Sequence, residues 1–256
     1  MLQNSPQLQV SLARSADEIQ AAQRLRYDVF VTELGGDGDG VDHTRRIETD
    51  AFDPHADHLL LRDLHQSDSE TMGIVGVYRL MTARHAKAAG GFYSASEFDL
   101  APLLNSELRL LELGRSCLHP DHRGGPALMA LWQGLAKYVA EHGIDILFGT
   151  ASFHGTDLNA LLHPISHLHE AYLAPEALRV TSIMQTETPL LPANEIDRKV
   201  AMRDTPALIK SYLKLGGTIG QGVYVDHAFN TTDVCLILDT AKMTAGVLDR
   251  VTRRAS

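Results

Sequence analysis

Residues Leu108 to Gly143 constrain the chain more than any other stretch: LRLLELGRSCLHPDHRGGPALMALWQGLAKYVAEHG. Leu108, Leu110, Leu111, Leu113, Cys117 and Leu118 form a short apolar run, the pattern of a buried strand. Gly114 interrupts it, as glycine does at a bulge or a close backbone approach. His119 to Gly125 break the pattern, and Pro126 suits the first position of a helix, where no amide donor is needed. Leu128, Leu131, Trp132, Leu135 and Val139 then recur at helical spacing, and Gly143 closes the helix. Strand, bend, Gly-rich turn and helix start leave backbone N–H groups converging on one spot, which suits a phosphate or an oxyanion. Glu112 and Arg115 stand beside it.

A chain of 256 residues holds one large domain or two small ones, and 44% hydrophobic residues is ordinary for a globular protein. Cys117 and Cys235 both sit in apolar runs, so two buried thiols in a reducing cytosol are expected rather than a disulfide. The N-terminus has no basic n-region followed by an apolar stretch, and no run approaches the length of a membrane span. A cytoplasmic protein is expected. A net charge of -9 argues against nucleic acid as a partner. The charge is uneven: an acidic zone runs from Asp28 to Asp57 and a basic one from Arg198 to Lys214, and the two can attract different partners.

Taken in order, Ser15 to Glu18 is a capping box, and a helix is expected over 16–33. Gly35 to Gly40 is a loop, whose spacing departs from a calcium loop at Val41 and Asp42. Strands are expected over 58–64 and 72–81, joined by the polar residues 66–70. A loop over 82–91 and a short helix over 94–104 follow. After the central strand and helix come a strand over 144–150 with an exit turn at 151–155, then a helix over 157–173 broken by Pro164. A strand over 177–186, a linker over 187–198, a short basic helix over 206–215, strands at 223–227 and 233–239, and an amphipathic helix over 241–250 complete the chain. Hairpins before the crossover make this a mixed α/β fold, not a regular doubly wound series. An acyltransferase core over 1–186 and a C-terminal extension over 187–256, packed as one continuous domain, are expected.

The chain resembles the Gcn5-related N-acetyltransferase superfamily, and more narrowly the bacterial ornithine-lipid N-acyltransferases, relatives of acyl-homoserine-lactone synthases. The pieces are LRYDVF at 25–30, ETDAFDPHADHLL at 48–60, GIVGVYRLM at 73–81, ELGRSCLHPDHR at 112–123, LW at 131–132 and LFGTASF at 147–153. Arg26, Phe30, Asp50, Asp53, Arg79, Glu112 and Arg115 fall in the order of the autoinducer-synthase skeleton. One departure stands out: Arg123-Gly124-Gly125-Pro126-Ala127-Leu128 does not fit the superfamily's coenzyme-A loop. The resemblance implies instead a 3-hydroxy fatty acyl donor carried on the phosphopantetheine of acyl carrier protein, and no other cofactor. It further implies transfer to the α-amine of ornithine, which gives a lyso-ornithine lipid.

Aminolysis of a thioester needs a neutral amine, an aligned pair of reactants and donors for the developing oxyanion. Glu112 is the candidate base, set against the plainer role of pairing with Arg115 or Arg79. Arg26 and Arg79 suit the acceptor's carboxylate, and Phe30 belongs to the same substrate region. Asp50 and Asp53 suit its side-chain ammonium, against a role as loop caps beside Pro54. Gly114, Ser116 and Cys117 lie where backbone amides can meet the thioester oxygen, and Arg123, Gly124 and Gly125 where the donor's phosphate would sit. No Ser-His-Asp spacing supports a covalent intermediate, and His154, His163, His167 and His169 read as helix-surface residues, not metal ligands. The basic segment 198–214 and the last helix suit peripheral contact with an anionic inner membrane. Rival readings keep the mechanism but acylate glutamine, glycine or lysine, or make acyl-homoserine lactone, or keep the scaffold as an acyl-carrier or lipid-binding protein without turnover.

Overall fold

The computed structural model describes residues 6–66, 70–185 and 187–242. In chain order the first elements are β1 (Leu8–Leu12), α1 (Ala16–Arg26), β2 (Val41–Asp42), β3 (Ile47–Glu48), β4 (Asp57–Asp63), β5 (Ile74–Thr82) and α2 (Ala83–Ala89). Next come β6 (Phe98–Asp99), α3 (Ala101–Leu104), β7 (Leu110–Leu118), α4 (Gly125–His142), β8 (Ile146–His154) and α5 (Leu162–Tyr172). The last are β9 (Thr181–Ser182), α6 (Arg198–Asp204), α7 (Ala207–Lys214), β10 (Thr218–Ile219), β11 (Tyr224–Asp226) and β12 (Thr231–Asp239). This is the mixed α/β architecture that the hairpin-then-crossover pattern predicts. The amphipathic helix expected over 241–250 begins in a 3-10 turn at Thr240–Lys242; the rest of it, with Arg253 and Arg254, lies outside the described residues.

Two compact units emerge, each drawn from separated stretches. The first takes in the described residues of 1–89 and 113–143, the second those of 90–112 and 144–247. Strand β7 therefore passes from the second unit into the first at Leu113.

In the first unit β4 pairs antiparallel with β1 (Leu8↔Asp63 to Leu12↔Leu59) and with β5. The end of β7 follows β5, and the His119 amide donates to the Val75 carbonyl at 2.8 Å. Ala21, Ala22, Leu25 and Val29 pack against Leu60, Ile74, Val77 and Cys117. Helix α4 crosses this sheet closely: a Cβ on Gly134 would stand 2.4 Å from Val10 Cγ1 and 3.4 Å from the Leu59 methyls. The glycine is there because the helix has no room for a side chain. Gly143 ends α4 in the left-handed region at φ 58°, as its position predicts.

In the second unit the start of β7 runs parallel to β8 (Leu110↔Ile146, Leu111↔Leu147, Glu112↔Phe148). Strand β8 pairs antiparallel with β12 over its whole length, and β10 and β11 flank β12.

Several elements differ from expectation. The helix over 16–33 begins at its Ser15 cap, which accepts from the Glu18 amide at 3.2 Å, but widens into a π-helix over Tyr27–Glu33. The loop over 82–91 is helix α2, whose sequence ARHAKAA is rich in strong helix formers. The helix over 94–104 resolves into a 3-10 turn (Tyr93–Ser96), β6 and α3, because 98–99 pair with β9. The exit turn at 151–155 is mostly strand, held to His154 by the β12 ladder. Pro164 lies in the first turn of α5, where a missing N–H costs nothing, so it does not break the helix. His167 and His169, expected on a helix surface, are buried at 7% exposure each. The strand over 177–186 shrinks to two residues; the basic helix expected over 206–215 is α7, and a further helix, α6, forms before it at Arg198–Asp204.

Candidate active site

The first unit gathers six ionised side chains into one buried group. Arg26 leaves the end of α1 fully buried; its Nε donates to Glu48 and its Nη1 to Asp53 at 2.8 Å. Arg79, from β5, donates to Asp50 and, at 3.2 Å, to Asp53. Arg115, from β7, donates its Nε to Glu48 at 3.1 Å and reaches Asp50 through Nη2 at 2.9 Å. Three arginines thus meet three carboxylates, which is how a folded chain tolerates charges this deep. Burial alone would raise the Asp53 carboxyl; the charge and hydrogen bond of Arg26, with Arg79 behind them, overcome it and hold the group well below the usual range. The same contest, settled by Arg79 and Arg115, holds Asp50 down.

The local structure around this group is built to aim it. Glu48 is delivered by β3, and Asp50 folds its own loop by accepting from the Phe52 amide at 2.9 Å. The Asp53 carbonyl lies 3.0 Å from His58 Nε2, and burial pushes the His58 imidazole down, towards the neutral form. The Arg79 guanidinium lies 5.5 Å from the centre of the Phe52 ring. Arg115 has φ 50°, in the left-handed region that a long side chain adopts only under constraint. The kink anticipated at Gly114 is therefore centred one residue later; a Cβ on Gly114 would only touch the Arg79 guanidinium, at 3.5 Å.

Glu112 is described in the second unit, at the last pair of the ladder with β8. It is 3% exposed. The amides of Tyr93 and Ser94, on the 3-10 turn, donate to its two oxygens at 3.0 and 2.7 Å. Two backbone donors fix the carboxylate in position. Phe148, opposite Glu112 on β8, meets Phe92 edge to face at 5.0 Å. The carboxylate is therefore buried and held in place by the main chain.

The remaining expected residues are placed as follows. Phe30 packs against the α1 core cluster. Ser116 is half-buried, while burial pushes the Cys117 thiol up to about 12, which removes it as a nucleophile at neutral pH. Gly124, at φ 153°, and Gly125 open helix α4 without any side-chain cap. A cavity of about 710 Å³ lies there, lined among others by Asp63, His65, His122, Arg123 and Gly124. Arg123 itself forms a two-pronged pair with Glu33, 2.6 Å at each contact.

Sequence reading missed Glu48 as the partner of two arginines; Glu112's amide donors, Tyr93 and Ser94; and a grouping of Glu97, Asp226 and Asp233, whose ligand oxygens lie within 4.8 Å of one another. For Glu48 a signal was there, since it opens the ETDAFDPH motif. The others come together only through folding.

Residues 25–133 match the family model described as an acetyltransferase (GNAT) domain. Two solved structures share the fold: an N-acyl amino acid synthase from uncultured soil microbes (TM-score 0.55, 14% identity, 95% of this chain and 98% of the other) and a coenzyme-A-dependent acyl-homoserine lactone synthase (TM-score 0.54, 14% identity, 97% and 89%). Fold and family model together define an acyltransferase enzyme of the GNAT type. Among curated relatives, the L-ornithine N(alpha)-acyltransferase of Rhodobacter capsulatus is 50% identical over 96% of this chain and 95% of its own length. Its namesakes from Brucella abortus and Rhizobium meliloti are 42% and 39% identical, covering 86% and 83% of the relatives' lengths. The chain belongs to the L-ornithine N(alpha)-acyltransferase family.

Proposed function

We propose that this enzyme moves a 3-hydroxy fatty acyl group from the phosphopantetheine thioester of acyl carrier protein to the α-amine of L-ornithine, and so makes the lyso form of an ornithine lipid. The relatives' shared name supports the acceptor. The observation that carries the mechanism is Glu112: a carboxylate 3% exposed, pinned by two backbone amides. In that role it takes the proton from the attacking amine as the C–N bond forms and the C–S bond breaks. Arg115, with Arg26 and Arg79, frames the region where the acceptor's carboxylate binds. The carboxylates of Asp50 and Asp53 are already met by these arginines, so their contribution to the acceptor's second ammonium is through the field of the whole network rather than as lone counter-ions.

The donor's phosphate is assigned to the uncapped start of α4, where Gly124 and Gly125 leave open space and the helix dipole favours an anion. The backbone around Gly114, Ser116 and Cys117 supplies the oxyanion donors. Contact with an anionic bilayer falls to α6 and α7. Lys199 and Lys214 are exposed there, as is Met202, while Arg198 and Arg203 are already paired with Glu170 and Asp204. No helix among the described residues is long and apolar enough to cross a membrane.

The test is mass spectrometry of the products formed from 3-hydroxyacyl carrier protein and an equimolar mixture of amino acids. N-acyl ornithine as the main product supports the reading. Acylation of lysine, glutamine or glycine instead would reassign the acceptor, and absence of any N-acylated product would end the claim of transfer.

A further inference from the structure

A second cavity, of about 340 Å³, lies wholly within the second unit and shares no lining residue with the Glu112 site. That is the small end of the range for ligand pockets, about 300–1,000 Å³. Part of its lining is aliphatic: Leu173, Leu190, Leu191 and Ile196, of which Leu190 is still 47% exposed. An exposed leucine alone says little, but one that lines a cavity gives it an apolar opening. Part of the lining is charged. Arg179 donates its Nε to the Ala174 carbonyl at 2.8 Å, which fixes the guanidinium, and its two Nη groups meet no partner among the described residues. Glu170 lines the cavity from α5, paired with exposed Arg198 at 3.3 Å and with His167 at 3.8 Å. The walls are set in advance. The Leu191 amide donates to Ser166 Oγ at 2.8 Å, and backbone bonds of 2.8 Å tie Gln221 to Val180 and Ser182. His169 has Nδ1 2.8 Å from the Ile165 carbonyl and accepts from the Gly222 amide through Nε2, so its ring is a wall and not a ligand.

We propose that this cavity is a second binding site, for a single-chain N-acyl amino acid with a basic side chain, the class of product that the proposed reaction forms. The ligand's identity rests on that reading; the cavity does not. The lining matches the molecule group by group. The ligand's carboxylate meets the two Nη groups of Arg179, a planar fork that pairs with a carboxylate through two parallel hydrogen bonds. Its side-chain ammonium meets Glu170, whose present partner Arg198 is exposed and weakly held in water. The first part of its acyl chain lies along the leucines, and the rest leaves past Leu190. A free fatty acid would leave Glu170 unmatched, and an anionic phospholipid would bring two chains to a small cavity. The site also stands next to the segment assigned to the bilayer: Arg198, the first residue of α6, pairs with Glu170 of the lining.

The test is photo-crosslinking of the full chain with a synthetic N-acyl ornithine that carries a diazirine near the carbonyl end of its acyl chain, used below its micelle concentration. Mass spectrometry of the peptides should place the label on α5 or on residues 190–196. Arg179→Gln removes the fork, and Ala193→Trp fills the cavity from an exposed position on its lining. Each variant should cut that label by about tenfold or more, the size of one lost charge-assisted hydrogen bond. Thermal unfolding and turnover in the carrier-protein assay should stay close to wild type in both. Unlabelled N-acyl ornithine should displace the probe at about a tenth of the concentration needed for the free fatty acid of equal chain length or for vesicles of anionic phospholipid. Absence of label from those stretches, label undiminished in either variant, or equal displacement by the fatty acid or the phospholipid overturns the inference. If wild type forms no N-acyl product while the label behaves as expected, the proposed function fails and the binding site stands. An active wild type that takes no label there sinks this inference alone.

Discussion

The first unit and the second handle buried carboxylates in opposite ways. In the first, Glu48, Asp50 and Asp53 are balanced by Arg26, Arg79 and Arg115, charge against charge. In the second, Glu112 is held by the neutral amides of Tyr93 and Ser94. The difference separates two jobs. A carboxylate locked to a guanidinium is stable and keeps its proton off, so it makes a frame. Glu112 is held in addition by the main chain itself, which fixes the position that the base role proposed for it requires.

Four perturbations would break or sharpen this contrast. The largest effect is expected in the frame. Arg26→Met leaves Glu48 and Asp53 short of a cation and should lower stability by about 3–5 kcal/mol, measured by denaturant unfolding; a loss under 1 kcal/mol would show that the network does not hold the unit together. Second comes Glu112→Gln, which should cut kcat by about 100- to 10,000-fold with folding largely kept, since glutamine retains one acceptor for the two amides. Unchanged turnover would remove Glu112 from the base role and leave it structural.

The third is a pH dependence. Asp50 and Asp53 titrate below their unfolded value of about 3.9. Their stabilisation is therefore fully present above that value and fades as pH falls through it towards their folded values. Thermal unfolding from pH 6 to pH 2 should show this loss beginning near pH 4. Asp53→Asn should flatten the slope there by about one proton, or about 1.4 kcal/mol per pH unit; an unchanged slope would mean the arginines do not depress Asp53. The smallest effect belongs to Arg123→Ala. Its pair with Glu33 is half exposed, so stability should shift by less than about 1 kcal/mol. The KM for the acyl donor should rise only a few-fold, since the backbone of the turn does the holding. A large loss of stability would make the pair structural.

Much of this was legible beforehand, and the misses share a cause. The strand, turn and helix of 108–143 are a local pattern, and β7, α4 and the Gly143 cap fall where it places them. The six charged residues of the skeleton are positioned by short motifs, each intact in sequence. Strand β1 was overlooked although Leu8, Val10 and Leu12 alternate, because a five-residue run carries little weight without its partner β4. His167 and His169 were assigned to the surface because histidine favours neither side; packing buries them, and His169 accepts from the Gly222 amide at 2.9 Å through a contact 53 residues distant. The fit of Ser94 against Glu112 spans 18 residues and an intervening strand and helix.

The sequence by itself determined which residue types stand at which element: Glu112 and Arg115 on one strand, Arg26 on the first helix, Gly124 and Gly125 before a helix. Local periodicity and capping depend on neighbours within a few positions, so they can be read along the chain. Only tertiary structure decided how each charge is compensated, that Arg115 takes the left-handed bend, and that the Tyr93 and Ser94 amides meet Glu112. Those outcomes depend on desolvation and on partners far away in sequence, and desolvation exists only once the chain has closed around them.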